Sequence, residues 1–581
     1  MTPTNKMTGG DVINRALQHY GVHTCFALAG TAHAHLLLSM EKHKAQHPWT
    51  FISGRHEAAT VLEADGYARA SGKLGIAMIV GEQGIPNAMT GFCTAQAACS
   101  PVLVLVSTTA PSQIEAAGEK PDSLDMVAPY VKWARTVPDV NRLEEYIHVA
   151  ARHALSGRPG VAVLGIPSGM EAQTAEVAER SSRSLALPLP PEPNDDAVAR
   201  AADMIAGAQR PMILAGTGAA LSGAGPALRA LAARYGIPVL ANALGRGLVP
   251  EDLKLGFPWP LAQVSAKQAD VVLALGLRFT QRFGYGLPPR FSNTAKFIQV
   301  DVHGEELGRN RVPDLPIVAD ARLFVEKLDA ALAARGMKAL STAWVNDGMK
   351  VRQARIAELG NEPAAPIHPY RMMRDLMTQM PANAIYAGDG ADIQNWAHAI
   401  LRIRGERAYM DHYPFGSMGV GTPLAIGAAA AMKEEAAANG TPVRPVVLVT
   451  GDGAFGFYPS EFNAATLAGL KIVCLISNDA GWGTEKHGQI KNMGTHINCE
   501  LGHCDYHLIG QAFGAHGVRV ENPADISPAI QRALASEGTT VINVITDPDA
   551  GMVRKTDPRV QTIAFEDLVS SLKTHYAPDV A

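Results

Sequence analysis

Two aspartates raise the first chemical question. Asp452 stands in RPVVLVTGDGAFGF, where a hydrophobic strand runs into Gly-Asp-Gly, and Asp479 stands in Asn478-Asp479-Ala480-Gly481. They are 27 positions apart, and each follows a run that reads as a strand. At the carboxyl edge of one parallel sheet they could meet. Two carboxylates and a carbonyl are hard oxygen ligands, a set that suits Mg2+, which keeps a partial protein shell and completes it with water and phosphate oxygens. The glycines let backbone approach a ligand closely, and the helix expected to begin near Ser460 favours phosphate at its N-terminus. Taken singly, the pieces also read as a turn with a capping aspartate and an unrelated Asx turn.

A third carboxylate, Glu57, opens a helical stretch in GRHEAATVLEADGYARASGKLGIA. By itself it reads as a surface helix residue, and His56 beside it as structural. Further on, GEQGIPNAMTG from Gly81 contributes Gly84 and Asn87.

Together these segments resemble the thiamine-diphosphate enzymes of the acetolactate synthase/benzaldehyde lyase-like superfamily. GDG followed by an Asn-Asn pair is that group's diphosphate motif, and here 24 residues separate Gly453 from Asn478. The family's second asparagine is Asp479 in this chain. The resemblance implies thiamine diphosphate and Mg2+, with Asp452, Asp479 and the carbonyl of Gly481 on the metal and Gly453 and Ala454 along the diphosphate. It makes Glu57 the catalytic carboxyl opposite N1′ of the aminopyrimidine, with Gly84 and Asn87 in the adjoining loop. Glu82 and Gln83 depart there from the usual Gly-Pro.

DHYPFGSMGVGTPLAIGAA, from Asp411, is most similar to benzaldehyde-lyase-type carboligases. That match makes Met418 the apolar wedge beneath the cofactor and His412 a candidate acid–base group, against core packing and a structural histidine as the plain alternatives. Gly388, Asp389 and Gly390, with Gln394 and Asn395, would line the same cleft. Two departures limit the match. His33 and His35 lie near, not on, the lyase histidine's position, and the run from Trp482 to His487 is polar. Glu485 could contact a polar substrate, while Lys486 reads as pointing to solvent. His496, Cys499, His503, Cys504 and His507 follow no common zinc spacing and read as a structural or substrate-facing loop. Gly216 and Gly218 follow a strand but lack a third glycine, a weak dinucleotide signal. Relatives bind FAD or ADP there, or nothing; FAD is left open and not predicted. Arg554, Lys555 and Arg559 read as a surface tail, with a lid over an anionic substrate as the sharper alternative.

The elements that must position these residues alternate short β-branched runs with Ala-rich helices. That pattern favours parallel sheets covered by helices. Gly75–Val80 and Pro101–Val106 read as strands and 58–70 as a helix. The Pro-rich LALPLPPEPNDD near residue 190 reads as a linker, as does Pro363–Pro369. The expected fold is α/β in three domains: a pyrimidine-binding domain over 1–188, a middle domain over 189–345 and a diphosphate-binding domain over 346–581. The first and third are similar enough in size and style to be related.

Composition agrees. Apolar residues make up 47% and charged residues 18% of the 581, enough for several large cores. A net charge of −4 is too balanced for nucleic-acid binding by bulk electrostatics. Six scattered cysteines without a CxxC pair argue for a reducing compartment. The N-terminus lacks an apolar signal core, and Gln83–Ile114, the longest stretch without charge, is broken by prolines. The expectation is a cytoplasmic enzyme with no membrane or nucleic-acid partner. The resemblance implies a homodimer or homotetramer with active sites between subunits, acting on a small carbonyl compound. The preferred reaction is carbon–carbon lyase or carboligase chemistry on 2-hydroxyketones, aldehydes or 2-hydroxyacyl-CoA. The alternative is an acetolactate-synthase-like enzyme or a 2-oxoacid decarboxylase, including the oxalyl-CoA type. A cofactor-binding subunit without turnover is a third class, against which the intact Glu57 and aspartate pair count.

Overall fold

Three six-stranded parallel sheets organise the chain, in a computed structural model that describes residues 4–28, 30, 33–113, 123–178, 186–551 and 557. In spatial order the first sheet holds Thr50–Ser53, Thr24–Ala27, Gly75–Ile79, Val102–Thr108, Val161–Pro167 and Trp133–Thr136. The third holds Tyr409–Asp411, Ile385–Gly388, Val446–Gly451, Ile472–Asn478, Thr540–Ile545 and His516–Val520. Numbered within each sheet in chain order, both run 2-1-3-4-6-5. The expected kinship of the two domains therefore extends to their topology. The middle sheet runs 3-2-1-4-5-6, from Gly256–Pro258 through Pro211–Ala215 to Leu315–Val318.

The strands are legible because they are buried on both faces, so they read as continuous apolar runs rather than alternating ones. Every residue of Val102–Thr108 and of Ile472–Asn478 is buried. The short edge strands Trp133–Thr136 and Tyr409–Asp411 carry too little of that signal to stand out. An antiparallel pair, Thr4–Thr8 with Thr174–Ala178, joins the two ends of the first domain.

Among the contacts that join the domains are a helix crossing and a buried ion pair. The helix Glu57–Ser71 is buried at every position but its last, because it lies between its own sheet and the helix Gly421–Asn439. The helices meet backbone to backbone: a Cβ on Gly66 would lie 2.3 Å from the Leu424 carbonyl oxygen, and one on Gly427 1.9 Å from that of Glu63. Between the middle and third domains, Arg246 donates to both oxygens of Glu251 at 2.8 and 2.7 Å and to the Leu401 carbonyl at 2.9 Å. The Ile403 amide donates to the same carboxylate at 2.8 Å. The helix Ala343–Gly360 crosses the expected boundary at 345 and stays tied to the middle domain, with Arg352 donating to the Pro260 carbonyl. Among the described residues, no helix is long and apolar enough to cross a membrane.

Candidate functional site

The aspartate pair meets as its spacing suggests. Val446–Gly451 and Ile472–Asn478 are neighbouring parallel strands, with Gly451 opposite Ser477. Asp452 and Asp479 therefore leave the same sheet edge side by side. They share a cleft of about 70 Å3 whose walls include Gly390, Met418, Gly453, Ala454 and Gly481. Burial pushes Asp452 up to about 6, against the amides of Gly453, Gly481 and Ala480 that hold it down. Burial pushes Asp479 up to about 8, and the facing Asp452 and Asp392 carboxylates add to it. Asp452 Oδ2 is buried with no hydrogen-bond partner. Crowded, desolvated carboxylates with an orphaned oxygen are what a divalent cation would relieve. The donor set fits Mg2+.

The walls are built for close approach. Gly390 has φ +81°, and Asp389 pins it: the amides of Gly390 and Gly421 donate to its two carboxylate oxygens at 2.7 Å each. Burial raises Asp389 to about 6 despite those donors. Gly453 faces the Trp482 ring, where an added Cβ would lie 2.4 Å from Cζ3. Asn478 braces the second turn, donating to the Cys504 carbonyl and to Asn543 at 3.1 Å each. The His/Cys-rich loop thus serves as a strut: Trp482 donates to the Cys499 carbonyl at 2.8 Å, and Gly481 bridges Glu500.

Glu57, Gly84 and Asn87 form a second cluster. Asn87 Nδ2 donates to Glu57 Oε2 at 3.1 Å, and a Cβ on Gly84 would lie 3.4 Å from Glu57 Cγ. His56 is structural: its Nδ1 accepts from the Ala58 amide at 3.1 Å, capping the helix that carries Glu57. Glu82 sits at φ +40° with the Thr109 hydroxyl donating to it. No residue of this cluster lines the diphosphate cleft, whose described walls run from Pro369 to Glu485.

Other candidates fall elsewhere. His412 is 2% exposed, and burial pushes its imidazole down to about 4, against the pull of Asp411. It is held neutral and is not among the cleft walls. Gln394 turns inward, donating to the Asp389 and Val449 carbonyls, and Asn395 is exposed; neither lines the cleft. His33 is buried and locked between Glu171 at 2.9 Å and the Ile79 carbonyl at 3.0 Å, whereas His35 is exposed. Glu485 does line the cleft. Lys486 departs from its expected solvent orientation: it lies 3.4 Å from Glu500 with its side chain 13% exposed. Arg554, Lys555 and Arg559 lie outside the described residues.

Sequence reasoning missed Trp482 as a partner of Gly453, Asp392 as a third carboxylate near the pair, and Glu461. Glu461 accepts the Arg55 amide at 3.0 Å on both oxygens. Acidic residues around the glycine turns were the available signal for Asp392; Glu461 had none. In the middle domain a cavity of about 220 Å3 opens where the strand order reverses, lined by Gly216, Gly218 and Gly276 and by Arg158 and Arg278. That is the ligand position of an open α/β sheet.

Three family models match, described as the N-terminal TPP binding domain of thiamine pyrophosphate enzymes over residues 7–127, their central domain over 198–328, and their C-terminal TPP binding domain over 389–544. A probable acetolactate synthase of Mycobacterium bovis is 30% identical, covering 96% of this chain and 98% of its own length. The 2-hydroxyacyl-CoA lyase of Oryza sativa is 28% identical, over 94% of this chain and 96% of its own. The 2-hydroxyacyl-CoA lyase 1 of Mus musculus is 25% identical, over 94% and 95%.

Proposed function

This chain belongs to the thiamine pyrophosphate enzymes, and from that premise we propose that it makes or breaks a carbon–carbon bond in a 2-hydroxycarbonyl compound without a charge at its reacting end, a 2-hydroxyketone or a 2-hydroxyacyl thioester. One observation carries the substrate class. None of the described residues lining the diphosphate cleft bears a positive charge, while Asp392 and Glu485 both stand there. A free 2-oxocarboxylate would find no cationic partner in this half of the site, and desolvating it beside carboxylates is unfavourable.

Bound in the cleft, thiamine diphosphate supplies a nucleophilic carbon that adds to a carbonyl and stabilises negative charge beside it. Asp452, Asp479 and the Gly481 carbonyl would hold Mg2+ against the diphosphate, and the close backbone at Gly390 and Gly453 would admit it. Met418 would support the bound cofactor from the cleft wall. Glu57, oriented by Asn87, would exchange a proton with the aminopyrimidine ring nitrogen. The site would be completed by a second copy, with Glu57 from one and the aspartate pair from the other. His412, held neutral, could only accept a proton at neutral pH. The middle-domain cavity would take the adenine nucleotide end of a ligand such as FAD, ADP or a coenzyme A ester.

The second reading, an acetolactate-synthase-like enzyme or 2-oxoacid decarboxylase, has the name of the Mycobacterium bovis relative in its favour. One NMR time course separates the two readings. The enzyme, with thiamine diphosphate and Mg2+, is given pooled 2-oxoacids, acyloins and a 2-hydroxyacyl-CoA. Aldehyde released from an acyloin or the thioester without CO2 is the expected result. CO2 released from an oxoacid would move the protein to the second reading.

A further inference from the structure

Away from both clefts, His19, Glu144 and His148 bring three ligand atoms within 4.8 Å of one another. The sequence hides this group because its members come from two places. Glu144 and His148 are one turn apart on the helix Leu143–Leu155, and His19 ends the helix Gly9–Gln18. The helices pack side by side, and the two imidazole rings stand 5.6 Å apart. We propose that this group is a binding site for a zinc-class divalent cation, distinct from the cofactor metal, with two imidazoles and one carboxylate as ligands and water completing the shell.

Three observations carry the proposal. His148 is 3% exposed, and its Nε2 is buried with no hydrogen-bond partner. A desolvated imidazole nitrogen left unmatched is unfavourable unless something else takes it up. Second, that nitrogen lies 3.9 Å from Glu144 Oε1, too far for a hydrogen bond and close enough for both atoms to share an ion. Third, the other ring nitrogen, Nδ1, is 2.9 Å from the Tyr20 hydroxyl. With the proton on Nδ1 and donated to Tyr20, the Nε2 lone pair faces the ion. Metal-bound histidines are usually oriented through their second nitrogen in this way.

The chemistry selects the metal. Two imidazoles and a carboxylate suit zinc and its transition-metal neighbours better than Mg2+ or Ca2+, which favour all-oxygen shells. Tetrahedral zinc with bonds of about 2.0–2.1 Å puts its ligand atoms roughly 3.4 Å apart. The group must therefore draw in by about 1.4 Å at most, and the exposed His19 side chain is free to swing. One neighbour opposes. The Arg15 guanidinium lies 3.0 Å from Glu144 Oε2 and places a positive charge beside the carboxylate.

The test uses the full chain saturated with thiamine diphosphate and Mg2+ and stripped of transition metals. Zinc is titrated against a chromophoric chelator, and cobalt replaces zinc to report tetrahedral coordination. The expected result is one zinc per chain, weakened by about 100-fold in His148→Ala and at least about 10-fold in His19→Gln, on the scale of changes around metal ligands. Tyr20→Phe should weaken it about 10-fold, and Arg15→Gln should tighten it. His303→Gln, a half-buried histidine of the middle domain, should leave it unchanged. His19 is exposed, so its variant keeps the fold, which circular dichroism verifies. Wild-type protein that takes up no stoichiometric zinc, or zinc bound equally well by His19→Gln, overturns the proposal.

Discussion

Replacing Gly453 by alanine tests the geometry of the cofactor cleft with a single methyl group. Gly453 lies in the helical turn Asp452–Phe455 and has no positive φ, so alanine brings no backbone strain. The new Cβ would lie 2.4 Å from Trp482 Cζ3, 2.8 Å from Cε3 and 2.9 Å from Cη2. Carbon atoms settle about 3.5–4.0 Å apart, so the ring must retreat by about 1.1 Å or more. The backbone of Trp482 cannot follow. Its amide donates to the Cys499 carbonyl and its carbonyl accepts from Lys486, both at 2.8 Å. The ring must therefore rotate within the cleft it shares with Asp452 and Asp479. Overpacking costs about 1–3 kcal/mol of stability, toward the low end here because the ring is only partly buried. A displacement of about 1 Å in a binding site can cost about 100-fold, or roughly 2.7 kcal/mol. Titration calorimetry of thiamine diphosphate with excess Mg2+ should show about that loss, with the unfolding midpoint little changed. Gly488→Ala, where a Cβ meets nothing within 4 Å, is the control and should bind as wild type. Adding Trp482→Leu to Gly453→Ala should recover most of the affinity. Gly453→Ala binding within about twofold of wild type would refute the reasoning, since 2.4 Å cannot be absorbed without moving a wall.

Glu57→Gln should lower turnover by at least about 100-fold while calorimetry still reports Mg2+-dependent cofactor binding, because the amide keeps the shape and loses the proton; unchanged turnover would remove Glu57 from the mechanism. A second test concerns pH. Burial, reinforced by Glu461, holds the fully buried Glu63 well above the ordinary carboxyl range, and burial raises Glu461 to about 7. The folded chain thus keeps protons that the unfolded chain releases near pH 4.5, so their stabilisation is complete below that pH and is lost as pH rises through about 7. Glu63→Gln removes part of that loss. Its unfolding midpoint relative to wild type should be more favourable at pH 8 than at pH 5, and an identical difference at both would show that the pair is not protonated in the fold.

The sequence alone determined the strands that end at Gly451 and Asn478, the helix carrying Glu57 and the order of the three domains. These rest on local signals: continuous apolar runs for strands buried on both faces, and glycine and aspartate at the turns that follow. Asp452 and Asp479 were legible as a pair because adjacent parallel strands place their ends together. What lies across the chain was not legible. The Gly66 and Gly427 crossing joins residues far apart in sequence and exists because neither has a side chain there. Lys486 was expected in solvent and found Glu500; His33, near the lyase histidine's position in the sequence, is locked by Glu171. His412 was named from a motif, yet its burial and neutrality follow from the elements packed around it. The grouping of His19 with Glu144 and His148 is of the same kind. Backbone pattern is written in neighbouring residues. Partnership, burial and charge depend on which distant segments the fold brings together, and that only the tertiary structure decided.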